Sequence, residues 1–173
     1  MKLTLFILFL NFTFNSLSAQ NLTLAQILEV KKKDLGNAEE YLSEKGWEFL
    51  NAEAPDSISM GRATFTYNKN KMSNRAESFI DYIYSDYSDK TRISIQINNK
   101  LRYTEYLNSI KGYNCKLMSS KVEAGRIIKI YRGETTTFRI TSATSLNGYD
   151  EQSATWYFLI ISNYDYDLNY AEN

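Results

Sequence analysis

The stretch Thr91-Arg92-Ile93-Ser94-Ile95-Gln96-Ile97-Asn98 alternates without a break. Ile93, Ile95 and Ile97 point one way, and Arg92, Ser94 and Gln96 the other, which is the period of a strand with one buried face. Similar stretches flank it. Arg62–Tyr67 sets Ala63, Phe65 and Tyr67 against Arg62, Thr64 and Thr66. Thr135–Thr141 sets Phe138 and Ile140 against Arg139, and Thr155–Ser162 sets Trp156, Phe158 and Ile160 against Tyr157, Leu159 and Ile161. Arg126–Arg132 reads with Ile128 and Ile130 inward and Lys129 and Tyr131 outward. Ser78–Tyr84 is β-prone with either face available for burial. Trp47–Leu50 and Tyr113–Met118 complete about eight strands. Turn signals separate them, at Ala54-Pro55-Asp56-Ser57 and at Asn147-Gly148.

Helical spacing occupies the gaps. Thr23–Lys33 carries Leu24, Ile27 and Leu28, with Thr23 as N-cap and Lys31-Lys32-Lys33 at the dipole's negative end, a helix terminus in water. Asn37 reads as a second N-cap with Glu40 as its capping-box partner, and Gly46 as the stop in a left-handed conformation. Leu101–Ile110 is a third helix ending at Gly112. The tail Tyr164-Asp165-Tyr166-Asp167 reads as a short extension.

Glu40-Tyr41-Leu42 before Lys45-Gly46-Trp47 reappears as Glu105-Tyr106-Leu107 before Lys111-Gly112-Tyr113. The offset of about 65 residues fits duplication of one supersecondary unit, with units 22–98 and 100–163. The expected fold is α+β: two tandem helix-plus-antiparallel-meander units form one curved sheet with helices on one face. This layout resembles the β-lactamase-inhibitory-protein fold and its single-unit relatives, the small envelope assembly lipoproteins. The resemblance is one of element order over most of residues 22–163. It implies the fold and carries no functional residue across.

Residues 1–19 read as a secretory signal peptide. Lys2 precedes an apolar run from Leu3 to Leu10, and Ser16-Leu17-Ser18-Ala19 offers small residues for cleavage before Gln20. Residues 20–173 then form a single domain exported to a bacterial periplasm or beyond the cell, with no stable membrane insertion after cleavage. Cys115 is the lone cysteine, so no intrachain disulfide forms and the core must hold the fold. Removing Lys2 from 20 basic against 20 acidic residues leaves a net charge of about −1, with no footprint for nucleic acid.

Several chemistries lack their residues. The chain has no histidine, hence no Ser–His or Cys–His pair. One cysteine builds no thiolate metal centre, and no glycine-rich phosphate loop is present, so no cofactor is expected. Cys115, in a strand pattern, reads as a buried inert thiol. Asp81, Asp86 and Asp89 read as turn caps. The expected function is a non-enzymatic binding module, inhibitor-like, for an envelope or extracellular protein. Its contacts would be Arg92, Gln96, Lys129, Tyr131, Arg139 and Tyr157 on the polar sheet face, since Tyr and Arg are enriched at interface hot spots. Two other readings stand beside it: a periplasmic carrier or sensor of a small apolar ligand, and a carboxylate-dependent hydrolase using groups such as Glu77 and Asp81.

Overall fold

The computed structural model describes residues 22–70, 72, 76–146 and 152–171. The reading of residues 1–19 and the Asn147-Gly148 turn lie outside them. The elements run α1 (Leu24–Lys32), α2 (Leu35–Glu44), β1 (Trp47–Glu53), β2 (Gly61–Tyr67), β3 (Ser78–Tyr84), β4 (Thr91–Ile97), α3 (Lys100–Gly112), β5 (Lys116–Glu123), β6 (Arg126–Arg132), β7 (Thr136–Leu146), β8 (Gln152–Ser162) and α4 (Asn163–Asn169). All eight strands join one curved antiparallel sheet in the order β1-β2-β3-β4-β8-β7-β6-β5. Each half is a meander of chain neighbours, and the two halves meet where β4 pairs with β8.

The α+β architecture follows from the alternating strands. Phe65, Ile80, Ile93, Ile95, Ile97, Phe138, Ile140, Phe158 and Ile160 are buried on the face that α1, α2 and α3 cover. Ile80 and Tyr82 turn inward, which settles the ambiguous strand β3. Tyr103 stacks on Trp156 at 4.7 Å between centroids, and Tyr106 meets Phe158 edge-on at 5.5 Å. Such pairs add to the burial of their area. The Tyr106 hydroxyl donates to the Leu22 carbonyl at 2.8 Å, which ties the start of the described chain to α3.

The caps are partly where the residue types place them. Thr23 and Gln26 form a reciprocal capping box on α1. The N-cap of α2 is Asp34, not Asn37. Its carboxylate accepts from the Asn37 backbone N–H at 2.8 Å and from Asn37 Nδ2 at 2.7 Å. An aspartate one turn earlier is the better acceptor for the orphan amides. The same bonds, the backbone one foremost, hold the Asp34 carboxyl below its ordinary value of 3.8. A lowered carboxylate stabilises the fold above its unfolded pKa, and that contribution disappears as pH falls through the folded value. Asp34→Asn keeps a cap acceptor but cannot titrate. Its urea midpoint is expected to fall less than that of the wild type between about pH 6 and pH 3. Identical acid slopes would show that Asp34 does not report on α2.

The Glu-Tyr-Leu match does not mark equivalent places in the two halves. Gly46, with φ at 79°, precedes β1, and Asn114, with φ at 57°, precedes β5. Both edge strands then carry a bulge, at Phe49/Asn51 and at Leu117/Ser119. Counted from the left-handed residue, the buried Ile110 takes the place of Leu42, and Tyr106 that of Ala38. Tyr41 instead is partly buried at the margin of the core, its hydroxyl donating to Glu29, with Lys33 and Lys45 over its ring. Gly112, expected as the stop equivalent to Gly46, lies within the end of α3.

Two further expectations are corrected. On β6, Ile128 and Ile130 face away from α1–α3, while Lys129 and Tyr131 face toward them, Tyr131 within the core cluster. Ile130 shares its register row with Arg139, and Tyr131 shares its row with Phe138. The tail is the helix α4, capped by Ser162 Oγ on the Asp165 amide. It packs on the face opposite the other three helices, so helices occupy both sides of the sheet.

Candidate functional site

The face opposite α1–α3 was expected to present one continuous polar surface. α4 divides it. Arg92 leaves the middle of that face to grip the helix. Its Nε donates to Asp165 Oδ2 at 2.6 Å and its Nη2 to Asp165 Oδ1 at 2.9 Å. Nη1 donates to the Tyr170 hydroxyl at 3.1 Å. The Asp165 side chain is only 2% exposed, and it also accepts from Asn169 Nδ2 at 2.8 Å. Burial works against the Arg92 charge, but the bonds to Asp165 and Tyr170 outweigh it and hold the guanidinium above its ordinary value. Arg132 makes a second, exposed fork to Asp167 at 2.6 and 2.7 Å. Asn163 pins the start of the helix, donating to the Gly133 and Glu134 carbonyls and accepting from Thr137. Arg92 is therefore a structural residue of this face.

α4 leaves a trough beside it, over β5, β6, β7 and β8. Ile128 and Ile130 form its floor and are only 4% and 5% exposed. One stretch, of about 560 Å³, runs beneath Tyr166 and Tyr170 of the α4 side and contains Lys121 and Arg139. A second, of about 370 Å³, continues over Ile128 to Arg126, Thr141 and Tyr157. Glu123, Ile128 and Arg139 line both.

Arg139 sits at the junction. Its register neighbours are Ile130 on β6 and Leu159 on β8, so its stem lies across an apolar row. Among the described residues its guanidinium meets one protein acceptor, Thr141 Oγ1 at 3.3 Å, and no carboxylate within ion-pair distance. Most of the five donors of this half-buried guanidinium therefore face the trough. With Arg126 and Lys121 against Glu123, the trough is net positive. Lys121 lies 3.3 Å from Glu123.

Of the six residues the sequence singled out, Arg139 and Tyr157 line this trough together. Gln96 is the register neighbour of Tyr157 and donates to Asn98 at 3.4 Å. Arg92 is engaged with α4. Lys129 and Tyr131 lie on the opposite side of the sheet. The residues missed were Ile128 and Ile130, Tyr166 and Tyr170, and the pair Asp165 and Asp167. A signal for the last existed: Ser162-Asn163-Tyr164-Asp165 is a serine-to-acid spacing of the kind that opens a helix.

The other chemical groups have ordinary surroundings. Asp81 accepts from Thr64 at 2.8 Å, and Glu77 from Asn68 at 3.1 Å. Among the described residues no three His, Cys, Asp or Glu side chains come together to hold a metal ion. Cys115 lies in the turn before β5 rather than in a strand, half-buried, and burial pushes its thiol up. Of the lysine triplet, Lys31 is not simply a solvated end: burial pushes its ammonium down, and Asp165 opposes that shift. Among the described residues no helix is long and apolar enough to cross a membrane. No protein-family model, curated protein or solved structure matches this chain.

Proposed function

We propose that the protein is a non-enzymatic binding module that acts outside the cytoplasm and captures a protein partner in the trough beside α4. The observation that carries this reading is Arg139, a half-buried guanidinium without a carboxylate partner on an apolar floor. A charged group in that setting gains most from an incoming carboxylate, because the pair forms where water is already partly excluded. Tyr157, Tyr166 and Tyr170 supply the rim, with the amphipathic character that suits interface anchors. The partner element that fits is a narrow acidic loop or strand with an apolar side chain to lie on Ile128 and Ile130. The element order shared with tandem-repeat inhibitors agrees with this reading by analogy alone. The apolar run before Ala19 supports action in a periplasm or outside the cell.

The test is affinity capture from envelope and culture fractions of the producer, with the wild type and an Arg139→Ala/Tyr157→Ala variant side by side. Loss of a hot-spot pair is expected to weaken capture at least about tenfold. The melting temperature is expected to stay within about 2 °C, since neither side chain belongs to the core. Equal capture by the variant would remove the trough as the binding surface. A co-purifying small molecule displaced by the same substitutions would replace a protein partner by a ligand.

A further inference from the structure

The two edges of the sheet carry opposite charges in matching places. β1 is exposed beyond Trp47, and β5 is exposed along its whole length. On β1, Glu48 pairs with Thr66 and Glu53 with Arg62, which puts both glutamates on the α4 side of the sheet. They are five residues apart and share a face only because the Phe49/Asn51 bulge shifts the alternation. On β5, Lys116 pairs with Arg132 and Lys121 with Ile128, again on the α4 side, and again through a bulge, at Leu117/Ser119. Each edge thus shows the same pattern: charge, three regular positions and a bulge residue, charge.

We infer that copies of this chain associate head to tail, β1 of one against β5 of the next, into a continued antiparallel sheet. Four features of the architecture agree. The sheet has eight strands that alternate in direction, so β1 and β5 run oppositely, and a copy set beside another in the same orientation meets it antiparallel. An even number of strands also carries the alternation of hydrogen-bonded and non-bonded pairs across the junction without a break. In that arrangement the register rows continue into themselves. The row that begins at Lys121 and passes through Ile128, Thr141 and Tyr157 ends at Glu48, and the row through Lys116 and Arg132 lies level with the one that ends at Glu53. The junction therefore sets Glu48 against Lys121 and Glu53 against Lys116, with Asn51 beside Ser119 between them.

Charges and bulges on an edge strand ordinarily keep it from pairing. Here their signs forbid only the wrong partner. Two β1 edges in the same antiparallel register would face Glu48 with Glu53, and two β5 edges Lys116 with Lys121, and like charges directly opposite are unfavourable. A two-fold dimer through either edge in that register is disfavoured, and the heterologous contact in the same register is favoured over it. Heterologous contacts that do not close give an open chain, and those that do give a ring. The apolar side chains exposed at both edges, Phe49 and Leu50 on one and Leu117 and Met118 on the other, are then covered at the junction. This contact adjoins the trough at Ser119 and Lys121, and it rests on the edge charges and register, not on what the trough binds.

Sedimentation velocity on the full chain at rising concentration and low salt tests the inference. The wild type is expected to grow in mean mass with concentration and to shrink toward one chain in about 0.5 M salt, where such charges are screened. Variant Glu48→Lys/Glu53→Lys and variant Lys116→Glu/Lys121→Glu are each expected to remain at the mass of one chain. An equimolar mixture is expected to regain the large species, because it restores opposite charges at every junction. Unchanged melting temperatures show that the exposed substitutions leave the fold intact. A wild type that stays at one mass at all concentrations overturns the inference, as does growth of either variant alone to the extent of the wild type.

Discussion

Phe158→Ala is expected to cost about 3–5 kcal/mol, the range for removing a buried phenylalanine. Phe158 is fully buried on β8, in register with Ile95 of β4 and Ile140 of β7. Tyr106 meets it edge-on, and the Tyr103 ring lies 5.9 Å away at a tilt. It joins the two meanders and α3 at one point. The cavity left by alanine is bounded by strands on both sides, which cannot collapse into it without losing their own pairing. A domain of this size has about 5–15 kcal/mol of stability in all. Urea unfolding followed by tyrosine and tryptophan fluorescence is expected to show a midpoint reduced by about a fifth or more. The neighbouring substitution Tyr157→Ala provides the contrast. Its side chain points the other way and is 38% exposed, and it is expected to cost less than about 1 kcal/mol. Similar losses at both positions would refute the face assignment of β8.

Arg92→Ala is expected to be the most damaging change on the other side of the sheet, at about 2–3 kcal/mol. Removing one partner of a buried pair costs about 3–5 kcal/mol because the remaining charge is stranded. Here the stranded group is Asp165, with its side chain 2% exposed. The expected value is lower because α4 is a single short helix, and letting it detach returns the carboxylate to water. The loss is therefore capped by what holds α4, chiefly the Arg132 fork and the Asn163 bonds. The apolar pair Arg92→Met/Asp165→Leu is expected to recover much of the stability, since it removes both charges together. Hydrogen exchange of the α4 amides distinguishes detachment from global loss. In Arg92→Ala they are expected to exchange rapidly while β4 and β8 stay protected. Protection of α4 equal to the wild type would show that the ion pair does not hold the helix.

The parts of this fold that could be read from the residues are those with one wet face and one dry face. β2 and β4 alternate because α1–α3 cover one face and polar side chains occupy the other; β8 is apolar at both parities, with Ile161 buried on the α4 side. β6 could not be phased that way. Ile127-Ile128-Lys129-Ile130-Tyr131 offers apolar groups at both parities, and both are used: Tyr131 enters the core while Ile128 and Ile130 floor the trough. Alternation vanishes where both faces of a strand are covered. α4 was hidden for a related reason. Seven residues, polar and aromatic but for Leu168, form no stable helix alone, and this one is held by contacts from Arg92 and Arg132, distant in the chain. The candidate site was half legible in consequence. Arg139 and Tyr157 stand on clear strands, but the wall that turns their face into a trough comes from the unread helix. The Glu-Tyr-Leu match pointed to two similar halves, yet its residues do not occupy similar places, because the helix ends are set by the left-handed residues Gly46 and Asn114 and not by the matched triplet.

Every strand pair in the sheet but one joins segments adjacent in the chain; the exception is β4 with β8. The loop-closure entropy of folding is concentrated in that single seam. Each meander can zip from its own turns at the speed of a local structure. The halves must then find each other across α3 and three intervening strands. The last of the described strands is also the one that closes the seam, so a chain emerging from a ribosome completes its first meander long before the second can dock. Until β8 arrives, the inner edge of β4 stands open, with Ile93, Ile95 and Ile97 beside it, and the interval before closure is when this protein is most exposed to mispairing.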